Sequence, residues 1–124
     1  MSMLISSSMA GTLAPAFGNK LNGGTVVFYD GAVPASLADA VTGNTLATLT
    51  LPSPAFTVVS AGVITANAIA AVFGDITGAP TFFRSFDSLG VEQSQDLIST
   101  VTLSTASITA GAPVAITDWT LTFS

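Results

Sequence analysis

Histidine and cysteine are absent from this chain of 124 residues, and only 7% of its residues are charged. Without histidine there is no side chain whose ordinary pKa lies near neutrality, so proton transfer loses its commonest agent. Without cysteine no disulfide can staple the fold, and the redox compartment stays open, because a cysteine-free chain suits cytosol and exterior equally well. A soluble enzyme of ordinary composition has about a quarter of its residues charged. These absences argue against catalysis before any motif is considered.

Positive charge is the next shortage. Lys20 and Arg84 stand against Asp30, Asp39, Asp75, Asp87, Glu92, Asp96 and Asp118, for a formal net charge of −5. Two scattered cations cannot neutralise a row of phosphates, so neither nucleic acid nor an anionic membrane surface is an expected partner. No apolar run approaches the roughly 20 residues that span a bilayer as a helix. The stretch from Met1 to Phe17 is small and apolar, but its first cation, Lys20, comes after it rather than before. It is therefore expected to belong to the mature protein and not to a secretion signal.

What the chain does have is apolar and small polar residues, with 49% hydrophobic. One domain of this length can bury roughly two-thirds of its unfolded surface. The rest of the surface must then be largely Ser, Thr, Ala, Gly and Asn, with little charge to hold neighbours off. Assembly is the natural expectation.

Two regions follow from the periodicity. Ile5, Met9, Leu13, Phe17 and Leu21 recur every four residues, which suggests an N-terminal helix or arm over 1–23, with hydroxyls at Ser6 to Ser8 for its start and Gly23 at its end. Pro15 is expected to kink or split such a helix. From Gly24 the period becomes two, and strands are expected at Thr25–Tyr29, Leu46–Leu51, Phe56–Val59, Val63–Ala68, Thr81–Asp87, Leu97–Leu103 and Val114–Phe123. Short strands at this spacing indicate a mainly β fold, an antiparallel β-sandwich of jelly-roll or Greek-key type over 24–124.

Turns fall at Asn22-Gly23-Gly24, Ser60-Ala61-Gly62, Ser88-Leu89-Gly90 and Ala110 to Pro113. In the last strand Val114 and Ile116 have one parity and Trp119, Leu121 and Phe123 the other, so a bulge near Thr117 and Asp118 is needed for both sets to face the core. Asp30 to Asn44 is the longest irregular stretch, a candidate contact loop with a short helix at Ala35 to Ala40.

No residue pattern demands chemistry. The carboxylates sit beside turn residues, where Asp commonly accepts hydrogen bonds from backbone amides, rather than in an acid and nucleophile pair. Asp87-Ser88-Leu89-Gly90 lacks the alternating acids of a calcium loop. The serines have no base to activate them. Phe82, Phe83 and Phe86 with Trp119 suit core packing better than a sugar-stacking platform. Arg84 shares a strand face with Phe82 and Phe86, so it must snorkel to an edge or find a carboxylate, inside the subunit or across an interface. No catalytic, cofactor-binding or metal-binding residue is expected, and the candidate interface residues are Ile5, Met9, Leu13, Phe17 and Arg84.

The order of motifs carries a resemblance. Val27-Phe28-Tyr29-Asp30-Gly31-Ala32-Val33-Pro34 is followed by Leu46-Ala47-Thr48-Leu49-Thr50-Leu51, by Pro54-Ala55-Phe56 and by Gly62 to Ile69. Ala79 through Asp87 and Ser107-Ile108-Thr109-Ala110-Gly111 complete the series. Over residues 22–124 the chain resembles small β-rich structural proteins of tailed bacteriophages and prophages. Members commonly begin with an amphipathic helix, from which Pro15 and the nearby glycines depart.

The resemblance implies a virion component without catalytic residues. Resisting the pressure of packed DNA suits a rigid, weakly charged sandwich lying across capsomers, so a capsid decoration or cement protein is expected. Its partners would be the major capsid protein and further copies of itself, as dimer or trimer, on the capsid surface of the virion, the protein itself being synthesised in the host cytoplasm. A tail or neck subunit is the alternative. A bacterial surface adhesin or carbohydrate-binding sandwich is a third reading, and it requires exposed rings at Tyr29, Phe83 or Trp119.

Overall fold

The computed structural model describes residues 7–60, 62–105 and 107–122. The fold is mainly β, and among the described residues one helix, α1 (Ser7–Lys20), precedes ten strands. Paired strands alternate between two antiparallel sheets. β1 (Thr25–Tyr29) and β2 (Thr45–Thr50) belong to the first, and β3 (Phe56–Ser60) and β4 (Val63–Ala66) to the second. β6 (Phe82–Phe86) and β7 (Glu92–Leu97) return to the first sheet, in the order β2-β1-β6-β7. A 3-10 turn at Ile98–Thr100 then carries the chain to β8 (Val101–Leu103) and β10 (Ile116–Thr122), in the order β3-β4-β10-β8. Between them the two-residue strands β5 (Val72–Phe73) and β9 (Pro113–Val114) pair with each other.

The inner faces meet along a line of rings. Phe28 and Phe83 of the first sheet lie 5.8 Å apart, Phe83 and Trp119 5.4 Å, Trp119 and Phe56 4.9 Å, and Phe56 and Phe17 of the helix 6.3 Å. The contacts of Trp119 with Phe56 and Phe83 are edge-to-face, the favoured arrangement for ring quadrupoles. The expected bulge in β10 is present between Ile116 and Asp118, and it lets Val114, Ile116 and Trp119 all be buried. Leu121 packs against the same core, while Phe123 lies outside the described residues.

The helix is not split: Pro15 lies inside it without dividing it in two. The amide that proline lacks would have bonded to the carbonyl of Gly11, four residues back, where the surroundings are open. The four-residue series drifts around the helix, as its spacing predicts. Successive positions four apart drift by about 40° around a helix, so a series of five cannot share a face. Ala14 and Leu21 are fully buried, and Gly18 packs on Phe56 and Ile64, whereas Met9 and Leu13 are exposed. Leu21 belongs to the main core cluster, so the helix is packed on the sandwich rather than set apart as an arm.

Sheet periodicity differs from simple alternation for a related reason. Val26 to Tyr29 and Phe82 to Ser85 are buried on both sides, because the chain from Asp30 to Asn44 folds over the outer face of the first sheet. The short helix expected at Ala35 to Ala40 is a single turn, closed by Asp39 N–H to Ser36 O at 3.1 Å. Polar Glu92 to Asp96, outside the expected strands, forms β7 with Leu97, because the Gly90 turn with φ of +81° sends the chain straight back along β6.

Candidate interaction surface

Arg84 is the anchor of the loop over the first sheet. Its side chain is 4% exposed, and Nε donates to Gln95 Oε1 at 2.9 Å. One terminal nitrogen donates to the carbonyls of Asp39 at 2.8 Å and Ser36 at 3.3 Å. The other faces Glu92 at 3.9 Å. Gln95 in turn donates to Pro34 O at 2.8 Å. At the loop's ends, Asn44 N–H donates to Asp30 Oδ1 at 2.6 Å and Thr81 Oγ1 to Gly31 O at 2.9 Å. A Cβ on Gly43 would run into the carbonyl of Asp30, so only glycine lets the two ends approach this closely. Beneath the loop Tyr29 stacks on Phe82 at 5.1 Å, with Val27 and Val41 alongside. Burial pushes the Tyr29 phenol above its ordinary pKa; the Arg84 charge opposes that shift and Glu92 adds to it. The guanidinium is thus partnered within its own chain, which takes Arg84 out of the set of residues able to touch a neighbour.

At the far end of β6 the turn is built around Asp87. Its Oδ1 accepts from the amides of Leu89 at 2.9 Å and Val91 at 3.0 Å, and its Oδ2 from Gln93 Nε2 at 3.2 Å. The Val91 amide leads in holding this carboxyl below the usual carboxylate range; burial opposes it, and the Leu89 amide, Lys20 and Gln93 add to it. Lys20, at the C-terminus of α1, lies 3.9 Å from the same carboxylate with its side chain 60% exposed. This clamped turn presents Leu89, 87% exposed, with Val91 beside it at 55%.

Between the sheets at the helix lies a cavity of about 170 Å³, lined by Phe17, Phe83, Ser94, Asp96, Trp119 and Leu121. It reaches the surface at exposed Asp96. Its wall includes Trp119, whose buried Nε1 has no hydrogen-bond partner.

The outer face of the second sheet carries no cation. Thr57, Thr65 and Thr120 stand in register across β3, β4 and β10, with Thr65 and Thr120 hydroxyls 2.9 Å apart. β3 is an edge strand, and Val58 and Val59 on it are 53% and 62% exposed. An uncharged edge of this kind is a template for contact with another chain.

Of the expected interface residues, Met9 and Leu13 are exposed on α1, Phe17 is half-buried against Phe56, Arg84 is buried, and Ile5 lies outside the described residues. The rings needed for a sugar platform are inside: Tyr29 is 9% exposed, Phe83 1% and Trp119 2%. The carboxylates of Asp30 and Asp87 accept backbone amides, as their turn positions suggest, whereas Asp96 accepts one from Leu97 within β7. Among the described residues no cluster of three or more acidic, histidine or cysteine side chains is close enough to hold a metal ion. The exposed pair Leu89 and Val91 was not singled out by the sequence reading, although an apolar residue at a turn centre is a visible signal. Comparison with protein-family models, with curated proteins and with solved structures finds no match to this chain.

Proposed function

We propose that this chain is a non-enzymatic structural component of a phage virion, a capsid decoration protein that binds across capsomers and stabilises the head. The observation that carries the reading is the combination of a cross-clamped sandwich with a surface almost free of positive charge. Lys20 is the only exposed cation, since Arg84, the other one, is buried. Exposed positions on the outer face of the second sheet are mostly Thr and Val, with Asp118 among them, and the β6–β7 turn exposes Leu89 and Val91, a composition suited to broad apolar and hydrogen-bonded contact. An acidic body also avoids sticking to packaged nucleic acid. The motif order over residues 22–124 supports the virion context.

The test is made on particles. Heads lacking the protein are expected to assemble but to release DNA at lower temperature, and added protein is expected to restore their resistance with little dependence on salt. Equal heat resistance with and without the protein refutes the decoration role. Antibody labelling confined to the tail replaces it with a tail or neck role.

A further inference from the structure

We propose that the cavity between the sheets at the helix binds a quaternary ammonium group, with Phe17, Phe83 and Trp119 as its cage and Asp96 as its counter-charge. The proposal goes beyond the decoration role and does not depend on it.

The cage follows from register. Phe83 and Asp96 are directly opposed across β6 and β7, so they share a sheet face, and Phe83, 1% exposed, fixes that face as the inner one. β7 is an edge strand, which leaves Asp96 at the mouth with Phe83 behind it. Trp119 and Leu121 border the cavity from β10, and Phe17 borders it from α1. Three rings and one carboxylate thus surround a volume of about 170 Å³.

Asp96 has no cation of its own. Among the described residues its carboxylate accepts the Leu97 amide at 2.9 Å, and both cationic side chains of the sequence are engaged elsewhere, Lys20 with Asp87 and Arg84 with Glu92.

Elimination names the ligand class. Ring faces and a carboxylate both repel an anion. A calcium-like metal ion needs six or more oxygens, and the cavity offers one carboxylate and Ser94, whose hydroxyl is shared with Ser85. A primary ammonium brings three N–H donors and meets the same shortage of acceptors. A neutral apolar molecule suits the rings but leaves the carboxylate unpaired. A quaternary ammonium has the charge, an apolar body and no N–H to satisfy, and rings are its usual hosts. Size agrees, because a cavity of roughly 150 Å³ holds benzene and a trimethylammonium head is of comparable bulk. The net charge of −5 draws cations toward the chain.

The chain has one tryptophan and it lines the cavity, so its emission reads occupancy directly. The full chain is titrated with choline and with tetramethylammonium at constant ionic strength, and with dimethylbutanol, the neutral tert-butyl isostere of choline. Both cations are expected to change the emission saturably, and the isostere to bind at least about tenfold more weakly. Asp96→Asn, at an exposed position, is expected to lose about tenfold in cation affinity with an unchanged melting temperature, and Asp118→Asn, on the outer face of the second sheet, to lose none. Phosphatidylcholine vesicles separate two sources of the group: sedimentation with them that free choline competes away assigns a lipid headgroup, and no sedimentation assigns a free solute.

Equal binding of the isostere makes the cavity a plain apolar pocket and overturns the proposal. Equal cation binding by Asp96→Asn overturns it too, leaving Asp96 as an inward charge that guards an edge strand. No saturable change by about 100 mM of either cation likewise refutes it.

Discussion

Trp119 offers the sharpest test of how the two sheets are held together. Its ring is 2% exposed and meets Phe56 and Phe83 edge-on, at 4.9 and 5.4 Å. Truncating a buried Trp to Ala costs about 3–5 kcal/mol. Loss of two edge-to-face pairs, each worth about 0.5–1.5 kcal/mol beyond burial, places this site at the upper end. For a domain of this size a kilocalorie moves the melting temperature by about 3–5 °C, so Trp119→Ala is expected to lower it by at least about 10 °C.

Trp119→Phe discriminates further. It keeps a ring between the two neighbours and removes the Nε1 donor, which is buried without a partner. An unsatisfied buried donor costs about 1–3 kcal/mol, and the two buried carbons lost with the indole are worth about 1.6 kcal/mol. The terms offset, so Trp119→Phe is expected to fall within about 1 kcal/mol of the parent. Denaturant unfolding followed by circular dichroism measures both variants without relying on the lost fluorophore. If Phe costs nearly as much as Ala, the indole nitrogen is bonded after all. If Ala costs little, the ring does not bridge the sheets.

Three further outcomes are expected. Arg84→Met removes the donors to Gln95, Ser36 and Asp39 but leaves no buried charge, since the Glu92 side chain is 46% exposed; it is expected to cost about 3 kcal/mol and to speed amide exchange across residues 31–43, and unchanged exchange there would show that the loop is held by other means. Tyr29 is the only tyrosine, so an absorbance titration reads it alone. Because its phenol keeps its proton longer folded than unfolded, stability is fully present below about pH 10 and falls as pH rises through the folded value; tyrosinate appearing at the ordinary pH in the native protein would refute its burial. Removing residues 1–20 strips Phe17 and Gly18 from Phe56 and Ile64 and removes buried Ala14, so the remaining sandwich is expected to melt more than about 10 °C lower or fail to fold, whereas an unchanged melting temperature would make the helix an appendage.

Much of the fold was legible because local chemistry decided it. The expected hairpin turns ending at Gly62 and Gly90 both hold that glycine at positive φ, and the parity break between Ile116 and Trp119 required the bulge that is there. These signals depend on one or two neighbours in sequence. β7 was missed because Glu92, Gln93, Gln95 and Asp96 have little strand propensity, and their pairing is imposed by β6.

By itself the sequence determined the class of molecule: a cysteine-free, histidine-free, weakly charged, mainly β protein whose N-terminal region was open between helix and arm, since composition and period are properties of the chain alone. Its candidate contact residues were decided only in three dimensions. Arg84 is the clearest instance. Its place between Phe82 and Phe86 required a partner, but whether that partner was internal depended on residues 36, 39, 92 and 95 arriving from two other segments. The helix shows the same division: residues 9 and 13 look equivalent to 17 and 21 in a four-residue series, and only the packing of Gly18 on Phe56 and Ile64 turns one pair outward and the other in. Asp96 and the Trp119 cavity likewise acquire meaning from distance. Burial and reach are sums over contacts distant in sequence, and only the folded chain brings those contacts together.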